Sequence, residues 1–141
     1  VSASPNHQIF RSTSLETRGN VAYFGTFGYE LDITKLTEKE LEQMKEQITF
    51  MKQHRDLIQK GEFYRLESPF KGNQAAWEVV AKDGSEGLMA YFRVRQPIQG
   101  KLERIYFSGL EETKAYEVRE CFGEKTDFGV HYGGRAHVCG I

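Results

Sequence analysis

Cysteine and proline are scarce in this 141-residue chain, which holds two of the first, Cys121 and Cys139, and three of the second. Two thiols cannot build the disulfide framework of a small secreted domain, so they read as reduced thiols of a cytoplasmic protein. Long apolar runs are missing too. None approaches the ~20 residues that span a bilayer, and Val1 to Gln8 lacks the charged start and apolar run of a signal peptide, so no membrane partner is expected. Positive charge has no surplus: 19 Lys and Arg stand against 20 Asp and Glu, for a formal net charge of -1. Nucleic acid is therefore not an expected partner, because phosphate neutralisation favours a basic excess. A whole (β/α)8 barrel takes ~250 residues, so any such architecture here is incomplete. The chain also opens at Val1 in a polar segment rather than at Met, which fits a cut piece or a processed product.

Apolar and aromatic residues are present in quantity, at 39% and 13%, enough to bury a core and to set aside the disordered class. Residues 1–62 carry helical punctuation. Thr13-Ser14-Leu15-Glu16 has the spacing of a capping box, predicting a short helix from about Ser14 to Phe24, ended by Gly25. Gly25 to Asp32 places two glycines among aromatics and reads as a packed connection in which backbone passes close to its neighbours. Thr37-Glu38-Lys39-Glu40 is a second box. Behind it Leu41, Met44, Ile48, Met51 and Ile58 recur along one face of a long helix, and Gly61 stands where a C′ glycine belongs.

From Phe63 the period becomes alternating. Trp77, Val79 and Ala81 share one face of a strand, Leu88, Ala90, Phe92 and Val94 one face of the next, and Asp83-Gly84 between them signals a hairpin. Leu102–Phe107, Ala115–Cys121, Phe128–Tyr132 and Arg135–Cys139 are further strand candidates. Short strands at this spacing predict an antiparallel sandwich over residues 63–141.

Few residues point to chemistry. Asp32, Asp56, Asp83 and Asp127 fall in a connection, on a helix, in a turn and at a strand start, where solvated or turn roles suit them better than a paired-carboxylate role. His131, His137, Cys121 and Cys139 match no common zinc spacing, so neither a metal nor a cofactor is expected. Trp77, Tyr91, Tyr106, Tyr116 and Tyr132 suit plain strand packing, with a sugar-stacking platform as the alternative. The loop Ser4-Pro5-Asn6-His7-Gln8 is the one polar cluster with functional promise, and on spacing alone it reads as a turn.

Several stretches resemble the C-terminal part of family 36 glycoside hydrolases, the bacterial α-galactosidases. They are Val1 to Gln8, Leu15 to Ala22 and Phe24 to Asp32, then Tyr64 to Phe70, Ala76-Trp77, Tyr91 to Val94, Gly109-Leu110 and Tyr116. Leu15 to Asp32 is the most specific of these, and Phe122 to Ile141 departs most. The resemblance implies an α+β fragment: residues 1–62 as the helical C-terminal end of a catalytic (β/α)8 barrel and 63–141 as the C-terminal β-sandwich. It further implies a retaining enzyme that hydrolyses terminal α-galactosides of the melibiose and raffinose type, whose catalytic aspartates lie upstream of Val1. This chain alone is then inactive, with no catalytic residue of its own. Asn6, His7 and Gln8 would lie near substrate on the barrel's loop face, in support rather than in chemistry. The expected partners are the remainder of the barrel, the α-galactoside of the intact enzyme and further copies in a homo-oligomer. A carbohydrate-binding module and a purely structural assembly module are the alternatives. In the second, the orphaned Leu41, Met44, Ile48, Met51 stripe would make the isolated piece self-associate.

Overall fold

The computed structural model describes residues 1–95, 104–122, 126–133 and 137–139, the last as backbone only. The architecture is mixed α+β, in two compact units, Val1–Gln59 and Lys60–Ile141. Among the described residues no helix is long and apolar enough to cross a membrane.

In the first unit, helix α1 (Leu15–Ala22) starts one residue later than the Thr13 box predicts. Ser14 is the N-cap, its Oγ accepting from the Thr17 amide at 3.1 Å. Thr13 is engaged elsewhere: its amide donates to Ser4 Oγ at 3.3 Å and its carbonyl accepts from Arg18 Nε at 3.0 Å. The helix also stops before Phe24, where Tyr23 turns its ring inward, 2% exposed, onto Phe27 and Phe50. Helix α2 (Glu38–Lys60) opens on the predicted box. Glu40 Oε2 accepts from the Thr37 amide at 2.9 Å, and Thr37 Oγ1 accepts from the Glu40 amide at 3.3 Å.

The buried line of α2 is rotated from the predicted stripe. Gln47, Met51 and Leu57 are buried, while Leu41 is 37% exposed. A pattern of apolar residues alone could not place Gln47 inside; what admits it is that both ends of its amide are hydrogen-bonded. Gln47 Nε2 donates to the Leu15 carbonyl at 3.0 Å, and its Oε1 accepts from Tyr29 Oη at 2.8 Å. The phenol shares the burial, which pushes its pKa up to about 12. Close backbone approach occurs at Gly19 of α1, not at Gly25 or Gly28. A Cβ on Gly19 would stand 2.3 Å from Gln47 Nε2, whereas Gly28 has open space and Gly25 meets only the Ala22 carbonyl at 4.0 Å. Because both ends of the Gln47 amide are held, it has little room to yield. Gly19→Ala is expected to lower the stability of this unit by about 1–3 kcal/mol despite alanine's better helix propensity. Thermal unfolding of the parent and variant proteins checks the sign.

The second unit is antiparallel throughout its described strands. β1 (Glu62–Glu67), β2 (Gln74–Val80) and β3 (Gly87–Arg93) form one sheet in sequence order. β4 (Arg104–Tyr106) pairs with β7 (His137–Cys139), and β5 (Ala115–Arg119) pairs with β6 (Asp127–Tyr132). The Asp83-Gly84 hairpin forms as predicted: the Ala81 amide donates to the Glu86 carbonyl at 2.9 Å, and Gly84 takes φ +64°. Gly61 follows α2 without the left-handed conformation of a C′ cap, which among the described glycines belongs to Gly84, Gly109 and Gly129. Of the sequence-predicted strands, residues 102–103 and 135–136 lie outside the described residues.

Strand β2 is central and buried on both faces. Ala75 and Val79 are buried on one face, Ala76, Glu78 and Val80 on the other. The alternation of Trp77, Val79 and Ala81 thus describes only half of the strand. The near-continuous run Gln74-Ala-Ala-Trp-Glu-Val-Val80 is the pattern of a strand covered on both sides.

Candidate functional site

The loop between Ser4 and Arg11 is built around Asn6. Its Oδ1 accepts from the Gln8 amide at 2.9 Å and from the Ile9 amide at 3.2 Å, as an Asx turn does. Its backbone closes the loop: the Asn6 amide donates to the Arg11 carbonyl at 2.9 Å, and the Phe10 amide donates to the Asn6 carbonyl at 2.8 Å. Arg18 on α1 clamps the base. Its guanidinium donates to the Thr13 carbonyl at 3.0 Å and, through Nη1, to the Ser2 carbonyl.

Of the three sequence-predicted residues, Asn6 is half-buried and its side-chain oxygen is occupied in shaping the turn, while His7 and Gln8 are exposed. Sequence reasoning missed the two residues beside them. Ile9 and Phe10 are 68% and 79% exposed, and Phe10 has φ +54°. Two consecutive large apolar residues in an otherwise polar loop were the available signal. The loop therefore presents donors and acceptors at His7 and Gln8 next to an apolar pair, on a backbone tied at both ends.

Two of the four aspartates hold turns. Asp32 accepts from the Thr34 amide at 3.0 Å and hydroxyl at 2.6 Å, and Asp83 from the Ser85 amide at 3.0 Å and hydroxyl at 2.7 Å. Those hydrogen bonds hold both carboxyls below the usual range. Asp127 accepts from the Gly129 amide at 2.8 Å, and Asp56 is exposed on α2. Among the described residues no group of three His, Cys, Asp or Glu is placed to hold a metal ion. His131 Nε2 lies 2.9 Å from the Phe128 carbonyl and Cys121 is exposed. His137 and Cys139 stand on β7, where the described residues are backbone only.

Four of the five aromatics fall into two pairs, each divided between opposite faces of its sheet. Trp77 is paired with Ala90, and Tyr91 with Ala76, one register step away, so their side chains leave opposite faces of the sheet. Trp77 packs on Phe92 with ring centroids 5.0 Å apart. Tyr116 and Tyr132 are likewise on opposite faces of the β5–β6 ribbon, through the pairs Tyr116 with His131 and Ala115 with Tyr132. Tyr116 Oη is used in a turn contact, donating to the Gly84 carbonyl at 2.5 Å and accepting from the Glu111 amide at 3.0 Å.

Among the described residues of the second unit, one titratable group is fully buried. Glu78 on β2 is 0% exposed; its Oε1 accepts from the Ser108 amide at 2.6 Å, and its Oε2 has no hydrogen-bond partner. Burial pushes this carboxyl up to about 7, against a smaller lowering by the Ser108 bond. It stands on the central strand of its sheet and has the character of a structural group.

Comparison with known proteins gives a consistent picture. The family profile described as Melibiase matches residues 1–61, and that of the glycosyl hydrolase family 36 C-terminal domain matches residues 74–138. The chain is 55% identical over 118 residues to α-galactosidase AgaA of Geobacillus stearothermophilus, covering 84% of this chain and 16% of that protein. It is 42% identical over 117 residues to α-galactosidase 1 of Pediococcus pentosaceus, covering 83% and 16%. The crystal structure of the Geobacillus AgaA enzyme superposes on 100% of this chain and 19% of its own, with TM-score 0.89 and 49% identity. The α-galactosidase structure from Lactobacillus brevis does so with TM-score 0.88 and 40% identity. The chain thus spans about a sixth of the length of the curated relatives it matches.

Proposed function

The chain belongs to glycosyl hydrolase family 36, and from that membership we propose that it is the C-terminal part of a retaining α-galactosidase acting on terminal α-galactosides of the melibiose and raffinose type. The observation that carries this reading is the superposition of all of its described structure on a solved α-galactosidase at 49% identity. Residues 1–62 form the end of the catalytic (β/α)8 barrel and residues 63–141 the C-terminal sandwich. The partners are the rest of the barrel and further copies of the enzyme.

The nucleophile and the acid/base are aspartates upstream of Val1. Retaining glycosidases hold such carboxyls ~5–5.5 Å apart: one attacks the anomeric carbon, the other protonates the leaving oxygen, and water then resolves the glycosyl-enzyme. What this chain contributes is position. Barrel active sites are assembled from loops after the strands, and the Asn6-centred loop is a rigid one. Asn6 shapes it, and His7 and Gln8 are its polar contacts on the substrate side. The division of Trp77 from Tyr91 and of Tyr116 from Tyr132 between opposite faces favours this reading over a free-standing sugar-binding module.

The test is hydrolysis of melibiose and raffinose by two proteins, the full-length one that contains this sequence and this chain alone. Turnover by the first and none by the second is expected. Turnover by the isolated chain would place the chemistry within these 141 residues and overturn the assignment.

A further inference from the structure

Glu78 is enclosed within this chain alone, at 0% exposure on the central strand of the three-stranded sheet, so its burial does not depend on any other part of a larger protein. Its register partners are Tyr64 on β1 and Met89 on β3, and the side chains of partnered residues leave the same face of a sheet. The segment 107–110 lies over that face and meets all three strands. The Ser108 amide donates to Glu78 Oε1 on β2 at 2.6 Å. Gly109 is so close to the Tyr64 ring of β1 that an added Cβ would stand 2.6 Å from it, and a Cβ on Gly87 of β3 would meet Leu110 Cδ2 at 3.5 Å. This cover is lightly fastened. To the other described residues the backbone of 107–110 makes one hydrogen bond, the one from Ser108 to Glu78, whereas β1 and β3 are held by their ladders. Backbone with so few bonds opens locally before the sheet that it covers.

The ionisable groups on the Glu78 face are Glu62, Tyr64 and Glu67 on β1 and Tyr91 and Arg93 on β3. Arg93 is the one cation among them, and it is paired with Gln74, four residues along β2 from Glu78, at the exposed end of β3. The Tyr64 hydroxyl is given to Glu62. Past the segment, Lys114 is in an ion pair with Glu111 at 2.7 Å; on β4, which leads into it, Arg104 and Tyr106 are exposed on either side of the buried Ile105. An ionised Glu78 thus has only the Ser108 amide to offset its lost hydration, and Oε2 has no hydrogen-bond partner among the described residues. Lifting the cover is the shortest way to bring water to it. We propose that Glu78 is a proton-operated latch: as the neutral acid it keeps the segment 107–110 seated on the sheet, and on ionisation the segment lifts to hydrate the carboxylate. Burial pushes the closed form's pKa up to about 7, so closure is fully favoured below about pH 4.5 and weakens as pH rises to 7. The latch lies wholly within the second unit and operates whichever reaction the intact protein performs.

Residue-resolved hydrogen exchange of the intact protein at pH 5 and pH 8, corrected for the intrinsic pH effect, tests this in the parent, in Glu78→Gln and in Glu78→Met. Protection of the parent's Ser108 amide should fall on the order of ten- to a hundredfold between the two values. At pH 8 that amide should also exchange at least about tenfold faster than the amides of β2, because the segment opens without the sheet. Glu78→Gln keeps an acceptor for Ser108 and should hold the protection high at both values, whereas Glu78→Met removes the acceptor and should leave it low at both. The methionine variant with the parent decides the matter should the glutamine variant not fold. Three results would overturn the proposal: a parent Ser108 amide indifferent to pH, equal protection of Ser108 and β2 throughout, which would mean that they open only together, or a pH-dependent fall that survives the loss of the carboxyl, which would assign the titration to another group.

Discussion

Gly109→Ala is expected to destabilise the second unit by about 2–5 kcal/mol, while Gly129→Ala costs only about 1–2. Both glycines are left-handed, at φ +74° and +81°, so alanine is strained at either position. Only Gly109 has a neighbour in the way. A Cβ there would stand 2.6 Å from Cε2 and Cζ of Tyr64, whereas at Gly129 nothing lies within 4 Å. The Tyr64 ring has restricted freedom to withdraw, because its hydroxyl donates to Glu62 Oε2 at 2.8 Å within β1. The difference between the two variants isolates the steric contribution from the conformational one. Tyr64→Ala in the Gly109→Ala background should recover part of the loss, and thermal unfolding of the four proteins reads the cycle. Equal destabilisation at Gly109 and Gly129 would mean that the Tyr64 packing is not as described.

The second large effect is the pH dependence of the sheet around Glu78. Its folded pKa is raised to about 7 from an unfolded value of 4.5, so the folded state binds the proton more tightly than the unfolded one. Stability from this group is therefore fully present below about pH 4.5, declines as pH rises toward 7, and is flat above. The whole window is worth at most about 3 kcal/mol. The neighbours across the sheet supply no compensating cation: Glu78 is opposite Tyr64 on β1 and Met89 on β3. Glu78→Gln keeps an acceptor for the Ser108 amide and removes the titration. Hydrogen exchange of the β2 amides in the intact protein, corrected for the intrinsic pH effect, should show protection falling between pH 5 and 8 in the parent and not in the variant. A parent profile as flat as the variant's would mean that Glu78 is ionised throughout, with a partner for Oε2.

Both effects concern residues that sequence patterns do not reveal. The helix starts, the Asp83-Gly84 hairpin and the antiparallel strands were legible because each is set by local chemistry: a hydroxyl three residues before a carboxylate, a glycine free to turn, an alternation of two. The Thr37 and Glu40 box formed as written, while the Thr13 and Glu16 box did not, because Ser14 took the cap and the Thr13 backbone is bonded to Ser4 ahead of the helix and to Arg18 within it. Burial on α2 was displaced for a similar reason. Gln47 is polar by composition and is inside because Leu15 and Tyr29, distant in sequence, satisfy it. Glu78 was hidden by the alternation rule, which gives a strand one wet face, where β2 has none.

The loop at Asn6, His7 and Gln8 was visible in the sequence only as a polar turn. Its closure depends on an asparagine bonding two amides ahead and on an arginine reaching back from the next helix, neither of which has a spacing signature. Phe10 had one sequence signal, its place beside Ile9 as an apolar pair in a polar loop, while its left-handed φ has none. The family resemblance, by contrast, rested on particular runs such as Leu15 to Asp32, and the matches to residues 1–61 and 74–138 cover most of those stretches.

The proposed role of this sequence as part of a larger α-galactosidase can be tested with an antibody raised against the chain and used to deplete a native extract of the source cells. The captured protein is expected to be several times heavier than 16.2 kDa, and galactose release from raffinose is expected to leave the extract with it. A captured species of 16.2 kDa, with the raffinose-hydrolysing activity left behind in the extract, would contradict it.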